Sequence, residues 1–286
     1  MLKQRILTAL LLLPLALAGI FMLPLWAFAI AVAAVIVLAG REWGALVLPG
    51  SAGAKLAYGA AVAVLLTAIL LLVPSDYVWV GEQLHPLLYG LLVAGVIWWL
   101  LALMLVLTFP ESSRAWYDNP VAKSIFGQLT LLPCFAALIA LKGMPASLTG
   151  NVDGAWLVMA VLLLVWGADT GAYFVGKSIG KNKLIPKVSP GKTREGLVGG
   201  MAVCAVLSVI GWQLIDALTL VEALILGMVT AFASALGDLA ESMFKRAANI
   251  KDSGRLLPGH GGVLDRIDSV TSAMPVFAFL YLIFGL

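Results

Sequence analysis

Residues 6–39 read ILTALLLLPLALAGIFMLPLWAFAIAVAAVIVLA, a run of 34 residues without a charged side chain. As one helix this run would be about 50 Å long, whereas the hydrocarbon core of a bilayer is about 30 Å thick. The run therefore predicts two membrane-spanning helices with a break at Leu23-Pro24, because proline interrupts a helix. One long helix over 6–39 is the alternative, and it would leave eight spans instead of nine.

The rest of the chain has the same apolar character. The 286 residues are 62% hydrophobic and 12% charged, whereas soluble domains carry about 25% charged residues. This composition excludes a water-soluble globule and predicts an all-α, polytopic membrane helix bundle with about nine transmembrane helices. The expected spans lie near 6–23, 24–40, 56–73, 87–109, 124–141, 155–176, 197–215, 221–239 and 268–285. Cys134 and Cys204 fall inside spans and are expected to be buried as small hydrophobes.

The Lys and Arg residues are distributed unequally between the two sides of these spans. With the N-terminus in the cytoplasm, 17 of the 18 Lys and Arg residues fall on the inner side, and only Lys142 lies outside. The positive-inside rule favours this orientation. It places six basic residues in 177–194 and five in 245–266 on the cytoplasmic face, so we expect any chemistry there.

The first of these basic segments, 177–196, is rich in glycine and proline. One interpretation is that this segment only anchors the protein to anionic lipid headgroups. That would explain the lysines but not the sequence Lys187-Val188-Ser189-Pro190-Gly191-Lys192-Thr193 just before a predicted helix, where backbone N–H groups, hydroxyls and ammonium groups converge. A helix N-terminus of this kind favours phosphate. It is not a P-loop, which would need glycine where Pro186 stands.

Asp169 lies at the cytoplasmic end of the sixth predicted span. An ionisable residue at the edge of an apolar stretch is costly and is a functional candidate. A structural carboxylate paired with a lysine is the alternative.

The densest polar stretch is 238–268. Asp238 and Glu241 lie three residues apart at the end of the eighth predicted span, and Asp265 and Asp268 lie three apart at the start of the ninth. In a helix each pair shares one face, so two acidic helix ends are expected to flank a basic loop. Carboxylates are the oxygen ligands that Mg²⁺ prefers, together with substrate phosphates.

The basic residues of this stretch, Lys245, Arg246, Lys251 and Arg255, would contact phosphate oxygens. Ordinary salt bridges are the alternative, but they do not require the glycine-rich turn over 258–262, which lets the backbone approach a ligand closely. Within this turn His260 would be a phosphate donor, a proton shuttle or a structural hydrogen-bonding group. It is not a zinc ligand, since no cysteine or second histidine is near it in sequence.

The same segment carries a gapped motif that covers Ser242, Lys245-Arg246, Lys251-Asp252-Ser253-Gly254, Pro258-Gly259-His260-Gly261-Gly262, Asp265-Arg266 and Asp268. It resembles the signature of the phosphatidate cytidylyltransferases, or CDP-diacylglycerol synthases. The resemblance extends to 169–173, 187–193 and 237–239 and, in length and span pattern, to the whole chain. It implies a single integral-membrane catalytic domain over 1–286, with N-terminal helices over 1–123 and the site carried by 124–286.

The resemblance further implies transfer of a cytidylyl group from CTP to phosphatidic acid, with Mg²⁺ as cofactor and room for a second cation. The predicted residues are, as catalytic groups, Asp238, Asp265, Lys245, Arg246 and His260; as substrate ligands, Asp169, Lys187, Ser189, Lys192, Thr193, Lys251, Asp252 and Arg266; and as metal ligands, Asp238, Asp265 and Asp268. Which loop holds the nucleotide and which the lipid phosphate stays open.

The partners expected are CTP, phosphatidic acid and the lipid bilayer, with no nucleic acid. The expected location is the bacterial cytoplasmic (inner) membrane, with the site facing the cytoplasm, as a monomer or a homodimer.

Two other functions compete. A CTP-dependent polyprenol or lipid kinase would share a metal and phosphate site, and a transporter would use its acids to bind a coupling ion. The transporter is disfavoured because the acids gather at one membrane edge and not at the midplane.

Overall fold

The computed structural model describes residues 2–254, 256–257, 259 and 261–285. In chain order its elements are α1 (Leu2–Met22), α2 (Leu25–Val47), α3 (Ala52–Leu72), β1 (Trp79–Val80), β2 (Gln83–Leu84), α4 (Pro86–Leu107), α5 (Pro120–Lys142), α6 (Ala146–Thr149), α7 (Gly154–Ile179), β3 (Lys183–Ile185), β4 (Ser189–Thr193), α8 (Arg194–Leu214), α9 (Leu220–Ala247) and α10 (Leu264–Gly285). Across these described residues, eight helices are long and apolar enough to cross a membrane, and α1 contributes a shorter apolar part over Leu10–Met22. The predicted all-α membrane bundle is confirmed, with two small antiparallel hairpins added.

The long uncharged run is broken where the sequence predicts. Helix α1 ends at Met22, Pro24 is the N-cap residue of α2, and α2 begins at Leu25. The alternative of one helix over 6–39 is therefore wrong.

Several helices extend further than the apolar spans indicate. Helix α9 continues to Ala247 and not to about 239, and α10 begins at Leu264 and not at 268. Lys245 and Arg246, which we expected in a loop, consequently lie in the last turns of α9. Hydropathy marks the part of a helix that sits in hydrocarbon, whereas the backbone hydrogen bonds of the helix continue into the polar layer.

The loops at one end of the bundle carry more charged side chains than the loops at the other end, and we call this the charged end; it comprises residues 48–51, 108–119 and 180–193 and the described residues of 248–263. Neighbouring helices are tied together just below it, since Trp43 Nε1 donates to Lys123 O at 2.9 Å and Tyr58 OH donates to Ser124 O at 2.7 Å. At the opposite end, Tyr281 OH donates to Leu148 O at 3.1 Å.

Small residues bring the helices below the charged end close together. A Cβ on Gly171 of α7 would lie 2.8 Å from Gly199 O of α8, so no larger residue fits between these two helices without a shift. Ser272 Oγ of α10 donates to Ala233 O of α9 at 2.7 Å. Cys134 and Cys204 are free and buried, as predicted. Such packing is usual between membrane helices.

Candidate active site

Four predicted carboxylates lie on facing turns of two packed helices. Asp238 and Glu241 belong to α9, and Asp265 and Asp268 belong to the first turns of α10. Gly237 allows the approach, because a Cβ there would lie 2.5 Å from Asp268 O. Both pairs are helical, so each pair shares a face, and the two faces meet below the charged end.

Lys245 joins these two acidic faces. Its Nζ contacts Glu241 Oε2 at 2.5 Å within α9 and Asp265 Oδ1 at 2.8 Å across to α10. The side chains are 15% exposed for Lys245, 4% for Glu241 and 6% for Asp265. Because water is largely excluded from these side chains, the negative charge of each carboxylate is stabilised by the ammonium group.

The basic hairpin β3–β4, which precedes α8, contacts Asp238 of α9. Lys192 Nζ contacts Asp238 Oδ2 at 2.8 Å, and Ser242 Oγ donates to Asp238 Oδ1 at 3.3 Å. Asp169 on α7 interacts electrostatically with both Asp238 and Lys192. Because α7 runs to Ile179, Asp169 lies ten residues before the helix end and is deeper than predicted.

Two contacts hold the hairpin in this position. Glu195, in the first turn of α8, accepts hydrogen bonds from Asn182 N at 3.1 Å and Asn182 Nδ2 at 2.7 Å. On the other side Arg246 Nε donates to Val188 O at 3.4 Å, which joins the end of α9 to the hairpin. The two segments that the sequence separates by about fifty residues therefore form one cluster.

The other predicted residues of the hairpin have different surroundings. Thr193 is the N-cap of α8, and its buried Oγ1 accepts a hydrogen bond from Gly196 N at 3.1 Å. Ser189 begins β4 and is half-buried. Lys187 forms an exposed ion pair with Glu111, with Nζ 3.6 Å from Oε1. The pKa of Glu111 is lowered, first because its own backbone N–H donates to the carboxylate and further because Lys187 is close.

The loop 248–263 is held by two carboxylates. Asp265 Oδ2 accepts hydrogen bonds from Gly262 N at 2.8 Å and from Ser253 N at 3.1 Å. Glu42 of α2 accepts from Leu264 N at 2.8 Å and from Ser253 Oγ at 3.3 Å. Asp265 was predicted as a metal ligand. What the structure shows is that its carboxylate accepts hydrogen bonds from the backbone of this loop.

Sequence reasoning missed Glu42. This residue is 8% exposed and comes from the N-terminal helices, which we expected to carry no part of the site. A signal was present, because Glu42 is the single acidic residue of residues 1–75 and it stands within an apolar helix. We did not use this signal, because we considered the adjacent Arg41 only as a determinant of topology and did not consider Glu42 separately.

Three predicted substrate ligands lie at the exposed rim. The side chains of Lys251, Asp252 and Arg266 are exposed, and none forms an ion pair or hydrogen bond with another described residue. His260 and Arg255 lie outside the described residues. The roles predicted for all five stay predictions.

The donor chemistry of the cluster suits a hard cation. Within the described residues, Asp238 contacts the ammonium group of Lys192, and Glu241 and Asp265 contact that of Lys245. The carboxylates of Asp169 and Asp268 interact electrostatically with this group of residues. Glu241 Oε1 is buried and has no hydrogen-bond partner there, which is costly unless a cation satisfies it. No three acidic, histidine or cysteine side chains of the described part form a ready metal site, so the Mg²⁺ assignment stays a prediction.

This arrangement has the chemistry expected of a site for polyanions and a metal near one end of the bundle. The lysines and the N-terminus of α8 attract phosphate, whereas the excess of carboxylates attracts a cation that would itself bind phosphate. Phosphoryl-type transfer needs such positioning and charge neutralisation more than it needs a strong base.

Comparison with known proteins gives matches along the whole chain. A family model described as "Cytidylyltransferase family" matches residues 3–284. The phosphatidate cytidylyltransferase of Pseudomonas aeruginosa is 47% identical over 282 residues, which cover 98% of this chain and 97% of that protein. That of Haemophilus influenzae is 39% identical over 286 residues, covering 98% and 99%. That of Bacillus subtilis is 46% identical over 140 residues, covering 47% of this chain and 51% of that protein.

Proposed function

The chain belongs to the cytidylyltransferase family, and from this premise we propose that the cluster below its charged end is where a cytidylyl group is transferred. The family resemblance predicted from 238–268 is confirmed. The activity is that of a phosphatidate cytidylyltransferase, a nucleotidyltransferase that converts CTP and phosphatidic acid into CDP-diacylglycerol and pyrophosphate for phospholipid biosynthesis.

The observation that carries the site assignment is the contact between Lys192 and Asp238. At 2.8 Å it joins the basic hairpin before α8 to Asp238 of α9, so the groups that we propose to bind phosphate and metal lie in one cluster. A site for two anionic substrates requires both. At the membrane edge that we propose for it, the site would accept a lipid headgroup from the bilayer and a nucleotide from water.

The chemistry follows from the charges of the two substrates. A phosphate oxygen of phosphatidic acid, already anionic at pH 7, attacks the α-phosphorus of CTP. The bond from this phosphorus to the oxygen that bridges to the β-phosphate breaks, and pyrophosphate leaves with the electron pair. Lys192 and Lys245 would bind phosphate oxygens and neutralise the charge that develops in the transition state. No group has to remove a proton from the nucleophile.

We further propose that the acidic cluster binds Mg²⁺. Asp238, Asp265 and Asp268 are the predicted ligands, and the unpartnered Glu241 Oε1 makes Glu241 a fourth candidate. When bound, Mg²⁺ would neutralise phosphate charge and make pyrophosphate a better leaving group. The structure supports this through its donor chemistry, and room for a second cation is part of the same hypothesis.

The proposed location is the bacterial inner membrane, with the charged end in the cytoplasm. The support is the distribution of Lys and Arg, which obeys the positive-inside rule in this orientation only. A reporter fused after residue 286 should be active in the periplasm, and a cytoplasmic C-terminus would contradict the orientation. Light scattering in detergent distinguishes a monomer from a homodimer.

The activity is tested with purified protein, CTP labelled in its β- and γ-phosphates, Mg²⁺ and dioleoyl phosphatidate. We expect labelled pyrophosphate together with CDP-diacylglycerol, identified by mass spectrometry. Release of CDP with a phosphorylated lipid would indicate a CTP-dependent lipid kinase instead. Absence of any lipid product, with lipid binding intact, would refute both activities.

A further inference from the structure

Glu42 makes contacts that reach across the whole sequence to the proposed site. It lies near the end of α2, and its Oε2 accepts a hydrogen bond at 2.8 Å from the backbone N–H of Leu264, the first residue of α10. The first N–H groups of a helix have no acceptor within the helix. Glu42 therefore caps α10 from a different helix, and its negative charge is stabilised by the positive end of the α10 dipole.

The loop before α10 is built around this carboxylate. Ser253 Oγ donates to Glu42 Oε2 at 3.3 Å, and Ser253 is itself 3% exposed. A Cβ on either Gly254 or Gly262 would collide with the Glu42 carboxylate group. The loop thus approaches Glu42 from both sides, and only glycine permits that approach.

Ser253 connects Glu42 to the proposed site. Its backbone N–H donates to Asp265 Oδ2 at 3.1 Å, while its hydroxyl donates to Glu42. Asp265 in turn contacts Lys245 at 2.8 Å. A displacement of Glu42 would therefore move both the loop and the start of α10, and with them the carboxylate and the ammonium group of the cluster.

We propose that Glu42 is a positioning residue of the transferase: it fixes the loop 248–263 and the first turn of α10, and so fixes Asp265 and Lys245 for the transfer. The proposal rests on the proposed function, because the cluster that Glu42 positions is the proposed active site. Glu42 itself touches no reacting group in this arrangement. Its effect is transmitted through Ser253 and Leu264.

The test compares Glu42→Gln with Glu222→Gln. Glu222 is a matched control because it also accepts hydrogen bonds at a helix N-terminus, from Thr219 N and Oγ1 at 2.8 Å each, but at the opposite end of the bundle. For the monodisperse fraction of each variant, kcat and KM for CTP are measured together with hydrogen exchange of peptides covering 248–264.

For Glu42→Gln we expect kcat to fall by about tenfold or more, which corresponds to about 1.4 kcal/mol of barrier. We also expect faster exchange across 248–264, because this loop loses its charged acceptor. Glu222→Gln should change neither quantity by more than about twofold. An effect on global stability alone would reduce the yield of folded protein but leave kcat per folded molecule unchanged, and that result would overturn the proposal.

If Glu42→Gln does not fold, the variant Ser253→Ala tests the positioning role of Glu42. It removes only the hydroxyl that links Glu42 to the loop, and we expect a smaller fall in kcat, about threefold to tenfold. Wild-type kinetics and exchange in Ser253→Ala would overturn the proposal. Failure of the wild-type enzyme to make CDP-diacylglycerol in the same assay would instead count against the proposed function.

Discussion

Replacement of Lys245 by methionine should destabilise the folded protein far more than the same change at Lys192. Methionine keeps much of the length of the lysine side chain but removes its charge. Lys245 Nζ lies between Glu241 and Asp265, whose side chains are only 4% and 6% exposed. In Lys245→Met, two buried carboxylates of neighbouring helices would lose the ammonium group between them.

The expected magnitudes follow from burial. Removing one partner of a buried ion pair costs about 3–5 kcal/mol, because the other charge is left uncompensated. The Lys192–Asp238 pair is more accessible, with side chains 28% and 33% exposed, and water screens it. For Lys192→Met we expect a loss of about 1 kcal/mol or less. Domains are typically stable by about 5–15 kcal/mol, so both variants should still fold.

The assay is equilibrium unfolding in mixed micelles of dodecyl maltoside and increasing SDS, in EDTA and in excess Mg²⁺. Cys134 and Cys204 are buried, so their reaction with a maleimide fluorophore reports unfolding. If the carboxylates bind Mg²⁺ as proposed, Mg²⁺ should stabilise Lys245→Met more than it stabilises the wild type, since it replaces part of the lost positive charge. A loss below about 1 kcal/mol for Lys245→Met in EDTA would refute this account of the buried pair.

Three further outcomes are expected. Asp265→Asn should abolish CDP-diacylglycerol formation and also speed hydrogen exchange of Gly262, because Asp265 accepts hydrogen bonds from the loop; unchanged exchange would contradict its supporting role. Thr193→Val should lower stability by about 1 kcal/mol through loss of the α8 N-cap, as measured by SDS unfolding, and an unchanged midpoint would argue against capping. Native protein should resist maleimide labelling of both cysteines, and rapid labelling, followed by mass spectrometry, would contradict their burial.

The helical architecture could be predicted because membrane burial imposes a local rule. Every backbone polar group in hydrocarbon must be satisfied within its own helix, so apolar stretches of about 20 residues identify the helices. The break near Pro24 followed from the same reasoning about length. Several helix ends at the charged end, those of α9 and α10 among them, were predicted too short, since polarity marks the edge of the hydrocarbon and not the end of the helix.

The composition of the candidate site was partly predictable and its pairings were not. Spacing of three residues placed Asp238 with Glu241 and Asp265 with Asp268 on common helix faces, which is a property of local geometry. The pairing of Lys245 with Asp265, and of Lys192 with Asp238, depends on how separate helices pack. Thr193 illustrates the difference, because its position before a helix was evident while its use as a cap required the structure.

The sequence by itself determined that the chain is a membrane helix bundle with its charge at one end, and that the segment 238–268 carries a cytidylyltransferase motif. Both properties depend on residues that are close together in the sequence. Only the tertiary structure decided that Glu42, from the second helix, holds the loop before α10 in place. A contact between residues 222 positions apart leaves no periodic or spacing signal in one sequence, because it arises from the packing of helices whose order in space the local pattern does not specify.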